Sequence, residues 1–121
     1  MNPEKQRIAI AEACGGAFKP CECGHPRCKG TEMRWHWPDD TITNDCPDYP
    51  NSLDAMHEAV DAKWKADPYF GMSFAIKLTE VVTGLTYSAQ IAAECLEYMI
   101  TATAAQRAEA FLKTLGLWEE P

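Results

Sequence analysis

The sequence has no apolar stretch of the kind that carries a chain into or across a membrane. No run of roughly 18 or more apolar residues occurs, so no membrane-spanning helix is predicted. Residues 1–7 lack the apolar core of a secretory signal. We therefore expect a protein that stays in a reducing cytosol, where clustered cysteines bind metal more often than they form disulfides.

Positive charge is also scarce. The chain has 11 lysine and arginine residues against 18 acidic residues, which gives a formal net charge of −7. This balance disfavours direct binding to a nucleic-acid backbone, which needs a basic surface. It permits binding to a protein with a basic surface, although solubility alone is the simpler explanation of the charge.

Motifs that carry chemistry are missing as well. The sequence has no nucleophile elbow, no phosphate-binding glycine loop and no dinucleotide fingerprint. His57 and Asp61 are four residues apart on a predicted helix, but such a pair is usually a solvated contact. Cys95 lies on an apolar face and is expected in the core. The sequence therefore argues against an enzyme.

The length of 121 residues fits a single domain covering residues 1–121. Apolar spacing, capping residues and glycine stops predict helices over four segments, which are Asn2 to Gly15, Asn51 or Ser52 to Asp67, Phe70 to Gly84, and Thr103 to Gly116. The last of these begins with a capping box formed by Thr103 and Gln106.

Two further segments bear on the fold class. Residues 33–37 alternate apolar and polar side chains, which predicts a short strand. Residues 86–100 are ambiguous, because Ile91, Cys95 and Met99 fit a helix whereas Leu96, Tyr98 and Ile100 alternate as in a strand. The pattern as a whole predicts an α+β fold with short antiparallel strands covered by helices.

Residues 17–50 form an irregular, cysteine-rich segment with five of the eight prolines and four of the six cysteines. A structureless loop of this length is uncommon, so something should hold it in place. Thiolates and imidazoles are preferred zinc ligands, and the sequence predicts a possible structural zinc site. Its candidate ligands are Cys21, Cys23, His25, Cys28 and Cys46, with Cys14 as a further candidate. The spacing is not that of a standard zinc finger, and the alternative is a reduced surface loop without metal.

Aromatic side chains suggest a second kind of site. His36 lies between Trp35 and Trp37, and aromatic rings beside a polar group can stack on a ligand ring. These three residues and Tyr49 are the candidate ligand-binding residues. The alternative is that the two tryptophans share one strand face and pack against helices.

Three stretches of the chain resemble the phage ABA sandwich domain family of small phage and prophage proteins. They are residues 1–15, residues 47–59 with the run PDYPNSLDAMHEA, and residues 102–112 with the run ATAAQRAEAFL. Ser52 and Asp54 stand where that family usually has Asp and Asn. The resemblance implies an α-β-α layered fold in which residues 31–37 and 92–100 supply strands, but it implies no biochemical activity.

Three functions compete on this basis. The first is a phage accessory protein in the host bacterial cytosol that binds a host or phage protein, with counter-defence as one version. The second is a small-molecule binder, such as a sponge for a nucleotide signal, although the negative charge disfavours phosphate. The third is a zinc-dependent enzyme, which requires an open coordination position. The first is favoured, and the oligomeric state is left open.

Overall fold

The computed structural model describes residues 1–22, 24, 30, 32–86, 88 and 95–120. Within them the chain forms five α-helices and a three-stranded antiparallel sheet, so the predicted α+β class is confirmed. The elements are α1 (Pro3–Ala13), β1 (Ala17–Pro20), β2 (Met33–His36), β3 (Ile42–Thr43), a 3₁₀ turn (Tyr49–Asn51), α2 (Leu53–Ala66), α3 (Pro68–Thr83), α4 (Cys95–Thr101) and α5 (Ala104–Thr114). In the part of the chain described, no helix is long and apolar enough to cross a membrane.

Most helix ends lie where the capping residues predict them, but α3 begins at Pro68, two residues before the predicted start at Phe70. Asn2 accepts a hydrogen bond from the Lys5 amide at 2.8 Å and begins α1. Asp67 ends α2 and also caps α3, since its carboxylate accepts from the Tyr69 amide at 3.0 Å. The capping box of Thr103 and Gln106 is present at the start of α5.

The sheet is a meander in the order β1-β2-β3. Phe18 faces Trp35 across the first pair of strands, and Trp35 faces Thr43 across the second. All four residues of β1 are exposed, whereas Trp35 in the central strand is buried. The sheet therefore joins the core mainly through one indole ring.

The core lies among α1, α2, α3 and α5, and α3 packs on α5 along its length. The rings of Phe70 and Phe111 pack edge to face, with their centroids 5.5 Å apart. Phe74 and Leu78 are fully buried on the same face of α3 as Phe70. Burying each such side chain contributes about 1.5–3 kcal/mol. The apolar faces predicted for these helices are thus largely correct, although Leu53 and Trp64 at the ends of the α2 face are about half exposed.

The strand that the family resemblance implies at residues 92–100 is wrong for the described part of that segment. Residues 95–101 form α4, and Leu96 and Ile100, four residues apart, lie exposed on it. Residues 89–94, including Ile91, lie outside the described residues, as does the side chain of Cys95, so its expected place in the core stays a prediction.

Arg107 on α5 caps the C-terminal end of α4. Its buried guanidinium donates to the carbonyls of Met99 at 2.8 Å and Ala102 at 3.1 Å. These bonds satisfy carbonyl groups that the end of a helix leaves without partners. A side chain from a different element thus stabilises the end of this helix.

Candidate binding cleft

The predicted zinc ligands are only partly described. Cys21 follows β1 and is buried, and its amide donates to the Glu32 carbonyl at 2.8 Å, which continues the pairing of β1 with β2. Cys23, His25 and Cys28 lie outside the described residues. Among the described residues, no three histidine, cysteine or acidic side chains are grouped so that they could hold a metal ion. The zinc site therefore stays a prediction.

Cys46 lies in the helical core cluster, which does not include Cys21. The Arg7 guanidinium of α1 donates to the Cys46 carbonyl at 2.6 Å and pairs with Asp45 at 3.0 Å. Burial raises the pKa of the Cys46 thiol, so the thiol is neutral at physiological pH. Its surroundings are those of a core cysteine beside a fixed loop.

Trp35 lies in β2 and Trp37 directly follows that strand. Their two indole rings stack on each other. Their ring centroids are 5.8 Å apart, and Phe18 lies against one of them, Trp35, at 5.5 Å. Gly16 makes this stack possible, because a Cβ there would lie 2.9 Å from the Trp37 ring and 3.1 Å from the Trp35 ring. Trp35 is only 4% exposed, whereas Trp37 is half-buried and lines a cleft.

His36 points to the opposite side of the sheet from these indoles, as strand alternation requires. It lines a small polar pocket that also contains Lys19, Glu22 and Asp40. Its Nε2 atom is buried and has no hydrogen-bond partner among the described residues. Of the four predicted ligand-binding residues, His36 thus lines a second pocket, to which Trp37 also contributes, and Trp35 belongs to the buried core.

Trp37 and Tyr49 do come together, in a cleft of about 420 Å³. One wall is α2, and the opposite wall is the turn that joins β2 to β3. The base comes from Cys14 at the end of α1 and from Pro47 and Tyr49 around the start of the 3₁₀ turn. The lining residues are Cys14, Trp37, Pro38, Asp39, Thr41, Thr43, Pro47, Tyr49, Ala55, Glu58, Ala59 and Ala62.

The cleft is open because α2 presents small side chains to it. Ala55, Ala59 and Ala62 fall on one face at helical spacing, and none of them reaches across to the turn. The opposite wall is held in place, since Trp37 Nε1 donates to Thr43 Oγ1 at 2.9 Å. The concavity therefore depends on the small size of these alanines and on the fixed position of Trp37.

The charges at the cleft are negative. Its lining contains two carboxylates, Asp39 and Glu58, and no lysine, arginine or histidine among the described residues. The Thr41 hydroxyl and amide donate to Asp39 and hold the pKa of that carboxyl below its usual range. Glu58 forms no ion pair with any described residue. A ligand in this cleft meets negative charge at two points.

Two polar side chains at the base of the cleft are kept neutral. Burial raises the pKa of the Cys14 thiol, and it raises the pKa of the Tyr49 phenol well above its usual range, where nearby Cys14, Cys46 and Glu58 add to the effect. Tyr49 is 4% exposed, and its hydroxyl makes no hydrogen bond with the described residues. The hydroxyl oxygen is not among the buried polar atoms that lack a partner, so it reaches the solvent of the cleft and is available to a ligand.

The sequence alone did not find most of this site. Trp37 and Tyr49 were predicted, whereas Cys14 was only a further candidate metal ligand and Glu58 was not predicted as a site residue. The alanine spacing on α2 was a possible signal, but it does not say what lies opposite. The weak His57–Asp61 pair is not formed as an ion pair in the described structure, where Asp61 pairs with Lys65 at 2.8 Å.

Fold class and site geometry say little about ancestry, because small α+β folds with a surface cleft occur in many unrelated proteins. Comparison with protein families, with curated proteins and with solved structures finds no match to this chain.

Proposed function

We propose that the protein acts by binding, and that the cleft between α2 and the β2–β3 turn receives a segment of a partner protein with a basic surface. One observation carries this proposal. The cleft combines two aromatic side chains with two carboxylates, and its described lining has no positive side chain. An apolar, aromatic concavity with a few polar groups is typical of a binding site.

The chemistry of the cleft favours binding over catalysis. Cys14 is its only described thiol, and burial raises the pKa of that thiol, whereas a nucleophilic cysteine needs a lowered pKa. The described lining also has no histidine to serve as a base. The cleft is thus suited to holding a ligand without reacting with it.

The resemblance to the phage ABA sandwich family supports a phage origin and a partner in the host bacterial cytosol. A counter-defence protein is one form of this proposal, in which an acidic surface covers the basic surface of a host effector. The net charge of −7 favours fast encounter with such a partner.

A small-molecule ligand is the second candidate, and the size of the cleft favours it. Its volume of about 420 Å³ falls in the range of about 300–1,000 Å³ that is common for small-molecule sites. A phosphate-bearing nucleotide suits the cleft poorly, since phosphates are bound by arginine, lysine or helix N-termini.

Filling the cleft tests the proposal. Ala62→Trp places a large ring in the cleft from an exposed position of α2, and Ala105→Trp, at an exposed position of α5 away from the cleft, is the matched control. A partner captured from host lysate and purified should bind the control like the native protein and bind Ala62→Trp at least about tenfold more weakly. Equal binding to both variants would contradict the proposed cleft. A thermal shift with small molecules, lost in Ala62→Trp, would instead favour the second candidate.

A further inference from the structure

We propose that the group the cleft recognises is a guanidinium, presented by an arginine side chain of the bound segment. This inference rests on the proposed function, and it specifies which part of a basic partner enters the cleft. It is carried by an unpaired hydroxyl, two carboxylates and an aromatic wall that converge on one concavity.

The hydroxyl of Tyr49 is the most specific of these features. The residue is only 4% exposed, it lines the cleft, and its hydroxyl bonds no described residue. Burial keeps the phenol protonated, because it raises the pKa. A neutral phenol offers lone pairs to an incoming N–H donor, and guanidinium has five such donors and no acceptor.

The carboxylates supply the matching charge. Glu58 lines the cleft and has no cationic partner among the described residues. Lys63, on the next turn of α2, acts on Cys14 electrostatically but does not line the cleft. A guanidinium bound beside Glu58 and Asp39 therefore gains two negative neighbours without displacing an existing ion pair.

The aromatic wall suits a guanidinium better than an ammonium. Trp37 is held in place by its stack on Trp35 and by its hydrogen bond to Thr43. A planar guanidinium stacks on an aromatic ring and still uses its edges for hydrogen bonds, whereas an ammonium is a compact, strongly hydrated charge. The alanines of α2 leave room for the aliphatic part of the side chain.

The test uses two blocked tripeptides, Gly-Arg-Gly and Gly-citrulline-Gly, titrated into the full chain. Citrulline has nearly the shape of arginine but no charge. Calorimetry gives the affinities, and the NMR signal of the Trp37 indole N–H reports whether the cleft is occupied. We expect the arginine peptide to bind at least about tenfold more tightly than the citrulline peptide. A lysine peptide should bind more weakly than the arginine peptide.

Three variants identify the groups responsible. Glu58→Gln should weaken arginine binding about tenfold with little change for citrulline, because only arginine carries a charge. Tyr49→Phe should weaken arginine binding about tenfold and should weaken citrulline binding too, since citrulline also has N–H donors. Glu97→Gln, on exposed α4, is the control and should change neither. Tyr49→Phe should also leave the unfolding free energy nearly unchanged, because its hydroxyl bonds no described residue.

The outcomes separate this inference from the proposed function. Equal binding of the arginine and citrulline peptides, abolished by Ala62→Trp, overturns the guanidinium assignment and leaves the cleft as a binding site. Absence of saturable arginine binding overturns the assignment as well. The proposed function itself fails only if the purified partner ignores Ala62→Trp.

Discussion

The indole of Trp64 on α2 lies directly over Gly71 on α3. A Cβ at position 71 would lie 2.5 Å from Cδ2 of that ring and closer still to Cε2, which no real contact allows. α2 and α3 are therefore held close together by a pairing of the largest side chain with the smallest. A glycine within a helix otherwise costs about 1 kcal/mol relative to alanine, so the close contact accounts for its presence.

This contact predicts that the effect of Gly71→Ala on the free energy of unfolding reverses its sign when Trp64 is removed. In the native chain the substitution should lower the free energy of unfolding by about 1–2 kcal/mol, because Trp64 is displaced. In a Trp64→Ala background the same substitution should raise it by up to about 1 kcal/mol, since only the helix propensity of alanine remains. Urea denaturation of the four proteins measures both values, and destabilisation of similar size in both backgrounds would contradict the steric explanation.

Arg107 is predicted to hold α4 against the core. Arg107→Met keeps the aliphatic bulk but leaves the carbonyls of Met99, Ile100 and Ala102 without their donor. We expect a loss of about 1–3 kcal/mol in the free energy of unfolding, with faster amide exchange in residues 95–101. Lys65→Met, which breaks only an exposed pair with Asp61, should cost less than about 1 kcal/mol. A similar cost for both variants would argue against the capping role.

Asp45 predicts a specific acid dependence of stability. The pKa of Asp45 lies below its usual range mainly because Arg7 donates a hydrogen bond to its carboxylate. A hydrogen bond from the Cys46 amide has a smaller effect in the same direction. A carboxyl whose pKa is lower in the folded state than in the unfolded state stabilises the fold at pH values above the unfolded-state pKa. This stabilisation is lost as the pH falls through the folded-state pKa. Asp45→Asn should therefore be less stable than the native protein at neutral pH, and the difference should vanish in acid.

Denaturation curves across the acid range measure this difference between the native protein and the Asp45→Asn variant. Arg7→Gln serves as the control background, because Asp45→Asn should have little effect there at any pH. A difference between the native protein and the variant that stays constant with pH would show that the ion pair with Arg7 is not its source.

The cysteine segment carries the prediction of a structural zinc ion. Protein purified without chelator or affinity metal should contain about one zinc per chain by elemental analysis. Changing Cys21, Cys23 and Cys28 to Ser together should remove it, whereas Cys14→Ser should retain it, because Cys14 lines the cleft. Cys46→Ser tests whether the core cysteine is a fourth ligand.

Zinc removal should also loosen residues 17–50, because binding free energy then orders that segment. The native protein with no bound metal would contradict the prediction. The cysteines would then be ordinary reduced residues of the segment that follows β1.

Helix ends and buried faces were readable from the sequence because local chemistry sets them. The Asn2, Asp67 and Thr103 side chains cap the backbone within three residues of their own positions. The spacing of Phe70, Phe74 and Leu78 likewise places them on one buried face without reference to a partner helix. The strand at residues 33–36 was predicted by its own alternation.

Residues 95–101 were decided by tertiary contacts. Their apolar pattern fits either a helix or a strand, and Arg107 supplies the donors that complete the helical end from a different element. The cleft has the same origin. Trp37 and Tyr49 were visible as candidate residues, but the burial of Trp35 and the position of His36 on the opposite side of the sheet depend on which strand face meets the core.

The α+β class, most helix boundaries, the acidic charge and the cysteine cluster could thus be read from the residues alone, because they depend mainly on residue identity or on contacts within one helical turn. Only the tertiary structure brought α2 opposite the β2–β3 turn. That approach leaves Glu58 without a described partner, leaves the Tyr49 hydroxyl unbonded among the described residues, and places both in one concavity. Contacts between residues far apart in the chain create the site, and no local pattern encodes them.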